Sequence, residues 1–429
     1  MRFAAQTLAN TTAQIVGVAG TLAISIVVAR VLGPAGRGQI ALLVTVPWIV
    51  SLPLEAGLGM SGVSAVTTGR LSMQELRGAF TVFLPALVAG ALLAQTHPIV
   101  WAFAKLLPSL NTLSVRVVLG ASFAAAVLTL LRSVQLAAGH LQMFNVLLII
   151  DKLILSVGIV ALWAVGHLSE QSMAFAVAGA YGGSAVFAAI ASRVPTRSAA
   201  KRGLRDLCVL GRVGWRVALA NSLQSLNYRL DMVILNLLST TAALGVYSVA
   251  VSVGTLIWYV PNAAGTVLLS RVGAFGRAIG AARTAAVSRV VLMAVLVLCA
   301  FALLVGRPLI VALFGKQFAS AYPLLLLLMP GLLALSPPKV INSYLVVAGH
   351  AGVAVYASGI AVVATVALDL LLIPGWGAAG AAAASSVAYV LFAVAMLVGF
   401  HRVTDVKYSA LLPTPRDITR LASTLRGRV

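Results

Sequence analysis

The chain has 429 residues, of which 61% are hydrophobic and 9% are charged, and its formal net charge is +21. This apolar fraction excludes a soluble globular protein and indicates an integral membrane protein. If the helices alternate from a cytoplasmic N-terminus, 21 of the 30 lysines and arginines fall on the cytoplasmic side, Arg132 among them, and far fewer, including Arg37, on the other. The positive-inside rule therefore accounts for most of the charge. It predicts a multi-pass protein with both termini in the cytoplasm and no nucleic-acid partner.

About twelve segments are apolar enough to cross a bilayer, for which roughly 20 residues are needed. They are 7–29, 39–62, 79–103, 116–138, 144–166, 173–192, 214–238, 245–269, 287–306, 322–347, 352–373 and 377–400. The first is interrupted by polar residues and is too long for the apolar region of a signal peptide, so we expect an uncleaved helix. The pattern predicts an all-α polytopic membrane protein.

The first segment carries polar and small side chains, including Asn10 and Gln14, at spacings of three and four residues that keep them on one helix face. Small and hydroxyl residues are common where membrane helices pack together, so Thr21 and Ser25 fit a helix–helix contact. For Asn10 and Gln14, two interpretations stay open, namely a helix contact and the lining of a polar cavity that binds substrate.

The fifth segment contains two adjacent charges, Asp151 and Lys152. Charged side chains at bilayer depth are costly and usually face a partner or a water-filled cavity. Two interpretations follow. The charges form ion pairs between helices, or Lys152 binds an anionic substrate and Asp151 takes up a coupling proton or sodium ion.

The longest polar interruption, 193–213, predicts a basic cytoplasmic linker between two six-helix lobes, 1–192 and 214–400, and a basic cytoplasmic tail at 401–429 follows. Several landmarks recur at offsets of 208 to 211 residues. The tripeptide Leu-Ala-Asn occurs at 8–10 and 219–221, glycine turns begin at 36 and 245, and Trp48 and Pro53 correspond to Trp258 and Pro261. Two halves of equal helix number and equal orientation predict a parallel pseudo-twofold repeat.

The seventh segment has one broad polar side and one apolar side. Its polar side includes Asn221, Gln224, Arg229 and Asp231, of which the two charged residues are spaced too closely to pair across a helical turn. We expect Asn221, Gln224 and Arg229 to bind substrate. Asp231 is a candidate both for substrate binding and for ion coupling.

Two later segments carry one charge each, Lys339 beside a Pro-Pro kink and Asp369. Broken membrane helices often mark binding sites or hinges in transporters, although proline kinks without function are also common. We expect Lys339 to bind substrate and Asp369 to be a candidate for ion coupling, with interhelical ion pairs as the alternative.

The sequence gives little support to metal binding, nucleotide binding or enzymatic catalysis. Cys208 and Cys299 are the only cysteines, the five histidines are dispersed, and no phosphate-binding loop, zinc spacing or nucleophile elbow is present. The loops on the far side are short and nearly free of acids. We therefore expect no metal, no cofactor and no enzymatic activity.

Three segments resemble Wzx-type polysaccharide flippases of the multidrug/oligosaccharidyl-lipid/polysaccharide exporter superfamily. They are ARVLGPAGRGQIAL at 29–42, LNYRLDMVILNLLSTTAALGVYSVA at 226–250 and the tenth-helix segment at 322–350. The resemblance implies a V-shaped pair of six-helix lobes that works by alternating access. It also implies transport of an undecaprenyl-pyrophosphate-linked oligosaccharide across the bacterial plasma membrane, with Arg229 and Asp231 at the matching positions. The absence of two further helices argues against a lipid II flippase.

The expected partners are the lipid-linked glycan, the bilayer, H⁺ or Na⁺ as a coupling ion, and glycan polymerase or glycosyltransferases. Three rival interpretations stay open. The first is a drug or metabolite antiporter of the same superfamily, which would favour a more acidic cavity. The others are a membrane-embedded glycan polymerase or transferase and a scaffold without transport activity.

Overall fold

The computed structural model describes residues 2–55, 57–192, 203–272 and 277–413. It describes side chains from residue 20 onward, except at 204, 212–218, 267, 269–272, 277 and 278. These residues form helices and no strands. The helices are α1 (Arg2–Leu54), α2 (Leu58–Thr67), α3 (Met73–Ala94), α4 (His97–Leu106), α5 (Thr112–Ala137), α6 (Leu141–Ala164), α7 (Glu170–Ser192), α8 (Gly203–Asn227), α9 (Leu230–Leu238), α10 (Thr241–Ile257), α11 (Tyr259–Val272), α12 (Arg277–Phe314), α13 (Ala321–Val347), α14 (Ala351–Trp376) and α15 (Ala378–Thr404).

Within the described residues, ten helical segments are long and apolar enough to span a membrane. The predicted all-α multi-pass fold is confirmed. The count differs from twelve at two places. The first two predicted segments are joined in α1, which is counted once as Gly20–Leu54, and the seventh is divided between α8 and α9. The third predicted segment also ends early, because α3 stops at Ala94 and the separate helix α4 follows.

The join within α1 is a kink at Gly33, whose φ of 66° and ψ of −164° are not helical. Glycine adopts such a positive φ without steric cost, and Pro34 then starts the next helical segment. The glycine turn that follows packs closely against the start of α10. A Cβ on Gly38 would lie 2.1 Å from the carbonyl oxygen of Thr241, and one on Gly245 would lie 1.8 Å from that of Pro34. The two glycine turns that recur in the sequence therefore meet backbone to backbone, where no side chain fits.

Contacts divide the chain into two compact units, Met1–Gly245 and Val246–Val429. Helices α8 and α9 thus pack with the first unit, where α8 contacts α2 and α3. The predicted second lobe, 214–400, includes α9 and most of α8, whereas the structure packs both helices with the first unit. The first ten residues of the predicted linker, 193–202, lie outside the described residues, as does most of the predicted tail. The lobe boundaries are therefore still a prediction.

In the first unit, α5, α6 and α7 share an apolar core that includes Leu128, Leu147 and Ala188. At one end of these helices, Glu170 accepts a hydrogen bond from the backbone nitrogen of Asn111 at 2.8 Å and one from Nε2 of Gln39 at 3.4 Å. One carboxylate therefore ties together α1, α7 and the residue before α5.

In the second unit, α15 packs against α13 and α14. Small residues allow the close approach, as is common between membrane helices. Ala381, Ala384 and Ala388 are fully buried. A Cβ on Gly331 of α13 would lie 2.7 Å from the Cα of Ser386, whose hydroxyl accepts a hydrogen bond from the Gly331 nitrogen at 2.9 Å.

Candidate functional site

The polar seventh segment is broken in the middle. Helix α8 ends at Asn227 and α9 begins at Leu230, and Arg229 between them has a φ of −141° and a ψ of −12°. The sequence around the break contains neither proline nor glycine, so local propensity gave no signal for it. A break frees backbone groups from the helical ladder, which membrane proteins tolerate where protein or a cavity satisfies them.

Arg229 lies at this break and is half-buried. Its guanidinium contacts the sulfur of Met232 at 3.9 Å, a weak interaction, and the hydroxyl of Thr45 in α1 contacts the same sulfur at 3.8 Å. Arg229 also interacts electrostatically with Arg37, a second cation, which is only 8% exposed. Two like charges near each other in a membrane protein favour an anion between or beside them.

Asp231 is 1% exposed, and one of its carboxylate oxygens accepts a hydrogen bond from the nitrogen of Met232 at 2.7 Å. A carboxylate in the first turn of α9 stabilises the positive end of the helix dipole. Asp231 therefore has a structural task at the break. Its predicted roles in substrate binding and ion coupling are still predictions.

Asp151 and Lys152 of α6 form ion pairs. Asp151 accepts a hydrogen bond from Arg132 of α5 at 2.8 Å and lies 3.6 Å from the Lys152 ammonium. Arg132 and Lys152 also donate to backbone carbonyls of α6, at Leu147 and Leu148. The interhelical ion pair was the alternative interpretation for these residues, and the structure contains it. Two cations share one carboxylate here, so a positive charge is left over.

Tyr181 of α7 lies between these charges and the break in the seventh segment in electrostatic terms, because it interacts with both. Arg132, Asp151 and Arg229 all interact electrostatically with this tyrosine. We define the cationic cluster as five of the charged side chains of the first unit, namely Arg37, Arg132, Asp151, Lys152 and Arg229. The sequence singled out Asp151, Lys152 and Arg229, whereas it treated Arg37 and Arg132 only as topology signals.

The predicted polar side chains differ in their surroundings. Asn221 is exposed and Gln224 is half-buried. The side chains of Asn10 and Gln14 lie outside those that the structure describes. The choice between cavity lining and helix contact for these two residues is still open.

An apolar cavity lies in the first unit beside the break. Its volume is about 740 Å³, and it is lined by residues of α1, α4, α8 and α9 and their flanking turns. Of the described residues that line it, Ser222 alone has a polar side chain; Leu226 and Leu230, on either side of Arg229 in the chain, are among the others. The sequence predicted a polar cavity in this part of the molecule and missed an apolar one.

In the second unit, Lys339 of α13 is held by neutral groups. Its ammonium donates to the amide oxygen of Asn262 at 3.1 Å and lies 4.6 Å from the ring centre of Trp258. Trp258 in turn makes an edge-to-face contact with Tyr389, at 5.5 Å between ring centres. A cation over an indole ring is attracted by the electrons of its face. The sequence pointed to Lys339 but not to the Trp258 ring as its neighbour.

Asp369 of α14 is fully buried in the second unit. It and Lys339 thus belong to a different unit from Arg229 and Lys152. The predicted meeting of Arg229, Lys152 and Lys339 around one substrate is still a prediction. Among the described residues, no group of three histidine, cysteine, aspartate or glutamate side chains could hold a metal ion.

Comparison with known protein families decides the classification. Residues 27–323 match the family described as polysaccharide biosynthesis protein. The chain belongs to this family. The predicted membership of a flippase and exporter group is therefore confirmed. Comparison with curated protein sequences finds no significant match.

Several solved structures share the fold of this family member. The lipid II flippase MurJ, in an inward closed conformation, has a TM-score of 0.71 and 13% sequence identity, over 92% of this chain and 86% of that one. An inward-facing multidrug resistance transporter of the MATE family has a TM-score of 0.69 and 18% identity, over 91% of this chain and 94% of that one.

A third solved structure with this fold is a MOP superfamily transporter from Pyrococcus furiosus, whose binding pocket is described as having reverse polarity. Its TM-score is 0.60 at 20% identity, over 94% of this chain and 95% of that one. These similarities show the fold of flippases and multidrug exporters. The chain is thus a multi-pass membrane protein of polysaccharide biosynthesis with a transporter fold.

Proposed function

We propose that the protein is a flippase for an undecaprenyl-pyrophosphate-linked oligosaccharide. It would carry this lipid across the bacterial plasma membrane by alternating access, with both termini in the cytoplasm. The observation that carries the proposal is the position of Arg229 between Leu226 and Leu230, which line the apolar cavity. Arg229 is not itself a lining residue, but a cation next in the chain to an apolar cavity wall suits an amphiphile with a hydrocarbon chain and an anionic headgroup.

The charge balance supports the anionic headgroup. The cationic cluster contains four cations and one carboxylate, so its cations outnumber the acids even when Asp231, two residues from Arg229, is counted as well. Arginine suits phosphate because its planar guanidinium can donate two parallel hydrogen bonds. We assign the pyrophosphate to Arg229, with Lys152 and Lys339 as further contacts, and the sugars to Asn221, Gln224, Asn10 and Gln14.

The apolar cavity supports the lipid chain. Its volume of about 740 Å³ lies within the roughly 300–1,000 Å³ typical of ligand pockets. Because its wall is almost wholly apolar, it favours hydrocarbon over a sugar or a hydrated ion. Part of a polyprenyl chain would fill it. Cationic drugs, the expected cargo of the antiporter alternative, would be repelled by the cationic cluster.

Coupling to H⁺ or Na⁺ through Asp151, Asp231 or Asp369 forms part of this proposal. Asp369 is fully buried in α14, where a charge is costly, and it is the first of the three to test. Glycan polymerase or glycosyltransferases are the proposed protein partners.

The test is transport of a fluorescent lipid-linked oligosaccharide in proteoliposomes. Removing one charged hydrogen-bonding partner costs about 1.5–3 kcal/mol, so Arg229→Ala should lower the flipping rate at least about tenfold. Arg70→Ala, which removes an exposed cation of the same unit, should flip at the wild-type rate. In cells, gene deletion and Arg229→Ala should both leave the glycan on the cytoplasmic leaflet.

Three results would contradict the proposal. Equal flipping rates for Arg229→Ala and wild type would remove its physical basis. Flipped but unpolymerised glycan in the deletion strain would indicate a polymerase. Increased drug sensitivity with normal surface glycan would indicate an antiporter.

A further inference from the structure

The chain after α15 folds back onto α12. Asp405 has a φ of 56°, in the left-handed region, and reverses the chain directly after the helix ends at Thr404. A short 3₁₀ helix, Tyr408–Leu411, then packs on α12. We call residues 405–412 the return segment.

Several contacts hold the return segment in place. Arg289 of α12 donates a hydrogen bond to the carbonyl oxygen of Ala410 at 2.6 Å. Nδ1 of His401 lies 2.9 Å from the carbonyl oxygen of Val406, and the His401 ring lies 4.7 Å from that of Tyr408. Leu411 is 5% exposed. The segment is therefore fixed to α15 near its start and to α12 near its end.

A cavity of about 550 Å³ lies between the return segment and α12. The helix contributes Ala282, Ala285 and Arg289, whose spacing of three and four residues places them on one face. The return segment contributes Lys407 and Ser409, together with Val406 and Ala410. The small side chains of these alanines leave room for the cavity between the helix and the return segment. Among the described lining residues, two are cations, one has a hydroxyl group and none is acidic.

The position of the cavity relates it to the membrane surface. The apolar spans of α12 and α15 are Ile279–Phe314 and Ala378–Thr404, so the lining lies at the first turns of one and just after the other. In the same segment, Tyr408 is 47% exposed and Leu412 is 60% exposed. Exposed apolar side chains beside a basic cavity at the end of two spans suit the boundary between headgroups and acyl chains.

We propose that this cavity binds the phosphate headgroup of an anionic membrane phospholipid. Arg289 and Lys407 supply the positive charge, and the Ser409 hydroxyl donates a hydrogen bond to a phosphate oxygen. The acyl chains lie against Tyr408 and Leu412. Because the lipid would bridge α12 and the return segment, its binding stabilises the docked position of that segment. This site belongs to the second unit and does not depend on the proposed cargo.

The experiment uses the full chain in nanodiscs that contain phosphatidylglycerol and phosphatidylcholine in equal amounts, with bound lipid measured by native mass spectrometry. The wild type should retain phosphatidylglycerol preferentially. Lys407→Gln should lower the retained fraction about fivefold, as expected for one basic residue at a membrane surface. Ser409→Ala should lower it less. Arg402→Gln is the matched control, since Arg402 is an exposed cation of the last turn of α15 outside the cavity lining.

Equal retention by wild type and Lys407→Gln would overturn the proposal, as would an equal loss in Arg402→Gln. Inorganic phosphate provides the second arm. One outcome would show that the site takes a soluble phosphate and that the lipid assignment is wrong. In that outcome, millimolar phosphate removes the bound phosphatidylglycerol completely. It also binds the lipid-free protein, and Lys407→Gln abolishes that binding. Because Lys407 lies outside the cationic cluster, Lys407→Gln separates this test from the test of flipping by Arg229→Ala.

Discussion

The two units hold their membrane-embedded cations in different ways. In the first, Arg132 and Lys152 share the carboxylate of Asp151, and Arg229 lies at a helix break near Arg37. In the second, Lys339 has a neutral amide and an indole ring as neighbours. An ion pair lowers the local net charge, whereas an amide and a ring hold a cation without neutralising it. The comparison shows that the two units place different groups beside a cation between helices, a carboxylate in the first and an amide with an indole ring in the second.

The units also differ in how closely their backbones approach. The added Cβ would be 1.8 Å from a carbonyl oxygen at Gly245 and 2.7 Å from a Cα at Gly331. Both distances are far below van der Waals contact. At Gly245 the clash is with the turn after the Gly33 kink, so that turn would have to move away.

The largest effect is therefore expected for Gly245→Ala. We expect it to destabilise the protein by at least about 3 kcal/mol, since overpacking against a fixed backbone forces main-chain shifts. Thermal unfolding in detergent and the yield of monodisperse protein measure it. Gly352→Ala is the control, because an added Cβ there has no neighbour within 4 Å. Equal melting temperatures for the two variants would contradict the close contact.

Asp151→Asn tests the ion pairs of the first unit. It leaves Arg132 and Lys152 without their carboxylate, and we expect a loss of about 2 kcal/mol, below the value for fully buried pairs because the side chains are partly exposed. The midpoint of thermal unfolding measures the change. Asp405→Asn, which alters an exposed acid, should leave the midpoint unchanged. A variant as stable as the wild type would mean that the pair has no structural role.

Asn262→Ala tests the neutral neighbours of Lys339 and should have the smallest effect. It removes the amide oxygen that accepts from the ammonium, and because Asn262 is exposed, we expect a loss of about 1 kcal/mol. Unfolding of the purified variant measures it against Thr266→Ala, whose hydroxyl donates to the backbone carbonyl of Asn262 one turn earlier in the same helix. A loss larger than that of Asp151→Asn would reverse the comparison between the units.

Much of the fold could be predicted because membrane helices need long apolar segments, and these are visible in the sequence. Of the ten described spans, nine agree with one predicted segment each, and Gly20–Leu54 joins the first two. The exceptions have local causes. Gly33 joins two segments into one kinked helix. The break at Arg229 divides the seventh segment between the end of α8 and α9, and the nine residues of α9 are too few to span a bilayer.

The candidate site was predictable only in part. Charges inside apolar segments pointed to Asp151, Lys152, Arg229 and Lys339, because such charges are rare. Their partners could not be found in this way. Arg132 pairs with Asp151 across 19 residues, and Trp258 lies under Lys339 from 81 positions away. The apolar cavity was missed because its walls come from four helices whose leucines look like lipid-facing residues in sequence.

The order of amino acids alone establishes an all-helical, multi-pass membrane protein with a few charged side chains at bilayer depth. The reason is that the cost of exposing polar groups to lipid is set locally, residue by residue. The pairing of the charges, the break in the seventh segment and the space between helices are visible only in the folded chain. These depend on side chains brought together from distant positions, which no local pattern records.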